Sequence, residues 1–511
     1  MKNNKYIKVL LAGMILVSSC KKDYLNTSPT DSVELSKVFE TTKNAEVAVN
    51  GLAKMMTQQY LGSQGFNGEG TIKMYYGNYP GNNFFVNLSG WADIINANYN
   101  QNLTSIYLYY PWFYYYKIIG NANQIVENID AANGNLADKQ FIKAQALTYR
   151  AYSYMMLAQI YGNRWSDSNN GQTNGLVLRK DVSTGDMPLS TLSQTYDLIY
   201  TDLNDAISLY ESSKINRNPN ANYQVNKDVA YAVYARAALN KQDYVNAEKY
   251  AILARANYKL MNNTEYKSGF ANPNGEWIWS SYGASDETLY FYSFQSYIAY
   301  NSSASAVRTA PKCISRELFD KIPSTDIRRD LFLDPKGEAY TTATGLAGAT
   351  MKARAFALYP ELQANAVPYA YMNFKFKAND LPGVGNLNHF RASEMYLIEA
   401  EAKFFQNKAA SEVQGVLNTL NATSGRNVNY VCTKTGRDLL NEIKLYRAVE
   451  LWGEGFDWFD MKRWGDSIVR RNNANGGNFL TSLAVTINPQ DKNKWTWSIP
   501  LRESDYNKGL E

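Results

Sequence analysis

Asp228-Val229-Ala230-Tyr231-Ala232-Val233-Tyr234-Ala235-Arg236 leads through Asn240-Lys241-Gln242-Asp243 into Tyr244-Val245-Asn246-Ala247-Glu248-Lys249-Tyr250-Ala251, and this stretch decides the fold. Small alanines at the crossing positions let two helices approach closely, and the tyrosines fill the gaps between them. A second pair follows at 394–420, where Leu397-Ile398-Glu399-Ala400-Glu401-Ala402-Lys403-Phe404-Phe405 passes through Gln406-Asn407-Lys408 into a helix over 409–420. Apolar periodicity predicts further helices over 112–130, 139–161 and 192–210, with helical patterning beginning near Val33.

The predicted fold class is therefore mainly α, a tetratricopeptide-like helical hairpin scaffold. Between the hairpins lie Gly/Asn/Ser/Tyr-rich segments at 62–110, 268–309 and 333–385. They are too long for plain connectors, so long loops with a few short strands should decorate the scaffold.

Composition bounds the chemistry. The 511 residues are 45% hydrophobic and 19% charged, with 52 basic against 47 acidic side chains, and with 32 Gly and 14 Pro. Disorder and fibrous repeats are excluded on this usage. Charge is spread along the chain, so no basic stripe suits nucleic acid. One histidine, His389, and three cysteines leave almost no material for a transition-metal site. Asp167, Asp181 and Asp186 supply oxygen donors without a calcium-loop string, so neither a metal nor a cofactor is expected.

The N-terminus reads as an export signal. Lys2, Lys5 and Lys8 precede an apolar run at 9–17, which is too short to span a bilayer. It closes on Val17-Ser18-Ser19-Cys20, which resembles a bacterial lipobox. The expectation is a signal peptide over 1–19, diacylglycerol and palmitate on Cys20, and a polar tether over 20–31. Acyl chains contribute about 0.8 kcal/mol per buried CH₂, so such a protein is anchored to a membrane without spanning it. In an exported chain a disulfide is open to Cys313 and Cys432, far apart in sequence.

The C-terminal region carries a further set of motifs: Arg447-Ala448-Val449-Glu450-Leu451, Glu454-Gly455-Phe456, Trp458-Phe459-Asp460, Lys462-Arg463-Trp464-Gly465, and Trp497-Ser498-Ile499-Pro500 with Glu503. Arg391-Ala392-Ser393-Glu394-Met395-Tyr396, Met187-Pro188-Leu189-Ser190 and Asp326-Ile327-Arg328 accompany them. In these strings the sequence resembles the SusD/RagB family of surface glycan-binding lipoproteins of Bacteroidetes. The resemblance covers nearly the whole mature chain and departs at Asp457, where many members carry a base. It implies a single domain over 32–511, a SusC-like TonB-dependent transporter as partner, and an outer-membrane location facing the cell exterior. It also implies non-catalytic capture of an oligosaccharide or polysaccharide. The alternative is a transporter lid for peptides or other nutrients without glycan binding of its own.

Arg447, Glu450, Glu454, Asp457, Asp460 and Arg463 lie at helical spacing, which suits an ion-pair network better than a pair of hydrolytic carboxylates. The run 112–116 and the pair Trp495 and Trp497 read mainly as core. Sugar recognition needs flat apolar faces for the C–H side of a ring, with amides and hydroxyls around them. Two loops offer that combination: Tyr75, Tyr76, Tyr79, Asn83 and Trp91 in the first, and Trp277, Trp279, Tyr282, Tyr292 and Tyr297 in the second. Trp277 and Trp279, two residues apart, either face a ligand or lie on one side of a strand and pack inward.

Overall fold

The computed structural model describes residues 35–62, 65–284 and 292–510. The expected signal peptide, Cys20 and the tether fall outside the described residues. Numbering the longer helices in chain order gives α1 (Thr42–Met55), α2 (Ile106–Asn128), α3 (Leu136–Tyr161), α4 (Leu192–Ser213), α5 (Lys227–Asn240), α6 (Tyr244–Arg255), α7 (Ala392–Phe405), α8 (Ala410–Asn418), α9 (Gly436–Glu450) and α10 (Asp457–Trp464). Consecutive helices pack on one another from α2 through α8, and α1 lies across α2 and α3. This is the tetratricopeptide-like, mainly α scaffold.

In the α5–α6 hairpin Asn226 caps the first helix and Asp243 the second, each accepting a backbone N–H three residues on. Ala230, Ala232, Ala235, Ala247 and Ala251 are fully buried, and Tyr234 stacks on Tyr250 at 3.9 Å and on Tyr200 at 4.5 Å. The tyrosines do fill the space the alanines leave. Gln242 in this turn and Asn407 in the α7–α8 turn hold φ of 59° and 55°, the left-handed region that reverses the chain.

Helix α2 begins six residues earlier than its predicted start and carries Pro111 inside. Proline lacks the N–H that would bond the carbonyl four residues back. Here the Tyr76 hydroxyl donates to Tyr107 O at 2.7 Å in its place. Tyr161 Oη then bridges the next position, accepting from Trp112 N at 3.2 Å and donating to Leu108 O at 2.5 Å. Two tyrosine hydroxyls repair the helix that proline interrupts.

The described strands are short and pair in twos: β1 (Phe84–Val86) with β5 (Lys312–Ile314), β2 (Asn174–Val177) with β3 (Leu189–Thr191), β4 (Trp277–Ser281) with β6 (Leu387–Arg391), and β7 (Ile468–Val469) with β8 (Thr486–Ile487). Two of these pairs, β1 with β5 and β4 with β6, join segments more than a hundred residues apart. Cys313 lies in β5 and Cys432 before α9, both as buried free thiols, so the disulfide left open by the sequence does not form.

Beneath these loops lies a fully buried ionic core. Arg391 donates to Glu454 at 2.7 and 2.8 Å, to Glu276 at 2.7 Å and to Glu450 at 2.7 Å. Arg426 bonds Glu450 and Glu276, Arg328 bonds Asp326 and Glu450, and Lys375 bonds Glu454. Four bases thereby meet four acids. Burial alone would raise the Glu450 carboxyl, but Arg426, Arg391 and Arg328 hold it well below the usual range. Arg447, Asp460, Arg463 and Glu401 form a second chain of pairs beside it.

Candidate functional site

The segment after α1 winds through a π-helical turn, Ile72–Asn78, into β1 and then a single 3₁₀ turn, Ser89–Trp91. Tyr75 from the first element is buried and meets Trp91 edge-on at 5.8 Å, Tyr107 at 6.3 Å and Tyr297 at 5.9 Å. The two phenols are joined, Tyr75 Oη donating to Tyr297 Oη at 3.0 Å. Tyr297 belongs to a short helix, Phe294–Ile298, capped by Ser293, and stands 6.3 Å from Tyr292. Burial raises both phenols, Tyr297 to about 12, so they are neutral hydrogen-bonding groups at physiological pH.

The outcome is a patch in which three half-buried rings, Trp91, Tyr107 and Tyr292, surround a floor of two buried tyrosines. Gly65 covers the phenol pair at φ +89°, where a Cβ would stand 2.9 Å from Tyr75 Oη. Any side chain there would displace the floor. A small cleft of about 50 Å³ opens beside the patch between Met56, Thr57, Ser293, Phe294 and Gly383, and Tyr282, 59% exposed, stands on its edge.

Of the predicted site residues, the structure brings together Trp91, Tyr75, Tyr292 and Tyr297, and sets Tyr282 at the neighbouring cleft. The others serve elsewhere. Trp277 and Trp279 are 0% and 1% exposed; Trp279 packs edge-on between Tyr149 and Tyr152 and donates its indole N–H to Tyr223 O at 3.2 Å. They take the inward alternative and have no face open to a sugar. Tyr76 and Tyr79 are equally buried, Tyr76 by the repair of α2. Asn83 is held by Asp457, which accepts its backbone N–H at 2.6 Å and its side-chain amide at 2.8 Å.

Tyr107 was not singled out from sequence. It sits in the first turn of α2, which starts at the Ser105 cap, and that serine ahead of an aromatic run was the available signal. Asp167 pairs with Arg164, Asp181 accepts from Ser183 N, and Asp186 accepts from Lys508 N. Among the described residues no three His, Cys, Asp or Glu side chains converge as metal ligands.

A family model described as starch-binding, associating with the outer membrane, matches residues 23–239, and the SusD family model matches residues 363–510. The chain belongs to the SusD/RagB family. No curated protein matches it. Solved structures with the same fold include a SusD-like carbohydrate binding protein from Bacteroides vulgatus, with 23% identity, a TM-score of 0.73, and coverage of 92% of this chain and 98% of that one. A SusD superfamily protein from Bacteroides thetaiotaomicron follows with 22% identity, a TM-score of 0.73, and coverage of 92% and 99%. A further SusD superfamily protein from Bacteroides vulgatus has 20% identity, a TM-score of 0.74, and coverage of 93% and 98%.

Proposed function

We propose that this protein binds an oligosaccharide or polysaccharide at the Trp91, Tyr107 and Tyr292 patch and performs no chemistry on it. The observation that carries the reading is the arrangement of half-exposed aromatic faces on a rigid, neutral, hydrogen-bonded floor. Such rings accept the C–H side of a sugar while phenol and amide groups meet its hydroxyls. The family-model description of starch binding supports the same reading. A shallow platform desolvates few groups, so affinity should fall between micromolar and millimolar.

Cys20 carries the lipid in this proposal, with residues 1–19 removed as signal, 20–31 as tether and 32–511 as one domain at the outer surface of the outer membrane. Among the described residues no helix is long and apolar enough to cross a membrane, which fits a lipid anchor. A SusC-like TonB-dependent transporter receives the captured ligand.

Affinity electrophoresis of the purified protein through soluble polysaccharides tests the reading, with Trp91→Ala against the core control Trp279→Ala. Retardation by a glycan should drop at least about tenfold in Trp91→Ala while its melting temperature stays near the parent's, as expected of a contact residue at a binding hot spot. Absence of retardation by every glycan would remove the capture role and favour a lid subunit for other nutrients.

A further inference from the structure

The charges around the patch are distributed in a way that discriminates among glycans. Between Gly65 and Tyr116 the chain carries three charged residues, Glu69, Lys73 and Asp93. Glu69 and Lys73 are buried, Glu69 under the hydroxyls of Tyr115 and Tyr152 and Lys73 on Glu454 O. Only Asp93, exposed two residues from Trp91, reaches solvent. From Tyr292 through Val307 the chain carries no charge at all.

The loop that bonds this second segment, through Ser293 Oγ to Gly383 O at 2.6 Å and Ser303 N to Pro382 O at 3.2 Å, adds one more acid, exposed Asp380.

Three bases on other elements contact an amide or a ring, partners that leave their charge in place. Lys494 reaches Asn98 Oδ1 at 3.2 Å, and the same amide donates to Asp93 at 3.1 Å. Arg502 lies over Tyr109 at 4.7 Å, and Lys117 over Tyr60 and Phe113 at 5.8 Å. Lys117 is ten residues beyond Tyr107 along α2, roughly 15 Å at 1.5 Å per residue.

We infer that the ligand of this patch is an uncharged glycan, excluding uronate-rich, sulfated and sialylated chains; the inference rests on the glycan-binding reading above. A carboxylate or sulfate at this patch would gain no charge-assisted bond from the residues that form it, because none of Tyr75, Trp91, Tyr107, Tyr292 and Tyr297 carries a positive charge. The patch offers aromatic faces and phenols, and phenols exchange evenly with sugar hydroxyls. Asp93 and Asp380 add repulsion against an anion.

The test is affinity electrophoresis of the protein through neutral polysaccharides (starch, xylan, glucomannan, laminarin) and acidic ones (polygalacturonate, alginate, chondroitin sulfate), at ~20 mM and ~500 mM NaCl, conditions that weaken exposed charge pairing and leave stacking intact. Retention is expected only in neutral gels, changing less than about twofold with salt and lost in both Trp91→Ala and Tyr292→Ala. Retention by an acidic glycan that fades with salt and depends on Trp91 would overturn the inference while leaving the glycan-binding reading standing. Retention in no gel would overturn both.

Discussion

Asp457 shows how much of this site is fixed by single side chains. Its carboxylate accepts both donors of Asn83 and stands where a Cβ on Gly81 would lie 2.5 Å from the carboxyl carbon, so it ties the loop before β1 to the start of α10. Burial pushes its carboxyl up from 3.8 to about 6, with the Asn83 bonds working in the opposite direction. A raised acid binds its proton more tightly in the folded state, so this group's contribution to stability is greatest at low pH and declines as pH rises from about 4 through 6. Asp457→Asn should therefore gain on the parent by about 1–2 kcal/mol between pH 4.5 and pH 7.5. Denaturant melts at the two pH values would reveal it, and a pH-independent difference would reject the assignment. The sequence marked Asp457 as the family departure without indicating its partner, because Asn83 is 374 positions away. Trp91 and Tyr292 were legible as site candidates from aromatic and amide content; Trp277 and Trp279 carried the same signal and are core, since exposure depends on what packs above a strand.

At the scale of elements, the hairpins were readable because alanine and tyrosine recur with helical spacing and polar turn residues separate the runs. The true start of α2 was not. Pro111 would ordinarily argue against helix on both sides of it, and the groups that make it tolerable, Tyr76 and Tyr161, come from other elements. Tyr161→Phe would remove the hydroxyl that Leu108 O and Trp112 N share in a buried setting. We expect a loss of about 1–3 kcal/mol, read from the denaturant midpoint, with the first turn of α2 exchanging its amide protons faster. A loss below about 0.5 kcal/mol would mean that the hydroxyl bridge contributes little. Since Tyr107 lies in that turn, the same variant should also weaken glycan retention.

For the molecule as a whole, the buried ionic core joins segments spread from Glu276 to Glu454, and its members come from loops as well as from α9. Arg391→Met would remove the one base that Glu276, Glu450 and Glu454 share, leaving each with fewer cationic partners, and breaking one partner of a buried pair typically loses about 3–5 kcal/mol. Equilibrium unfolding at neutral pH checks this, and a change under about 1 kcal/mol would show that the network relaxes around the loss. Its acid limb has a definite sign: Glu450 and Glu454 are depressed, so their contribution is complete above about pH 4.5 and fades as pH falls toward the folded values. The sequence by itself determined the helical class, the two hairpins, the pairing of the C-terminal charges as structure, and an aromatic-rich, charge-poor pair of loops. Those features are local, written in periodicity and composition within a few turns of chain. Only the tertiary structure decided which aromatics face solvent, that Tyr107 joins Trp91 and Tyr292, that Cys313 and Cys432 stay apart, and which base meets which acid. Each of these depends on contacts between residues tens to hundreds of positions apart, and burial is a property of the neighbour that covers a side chain.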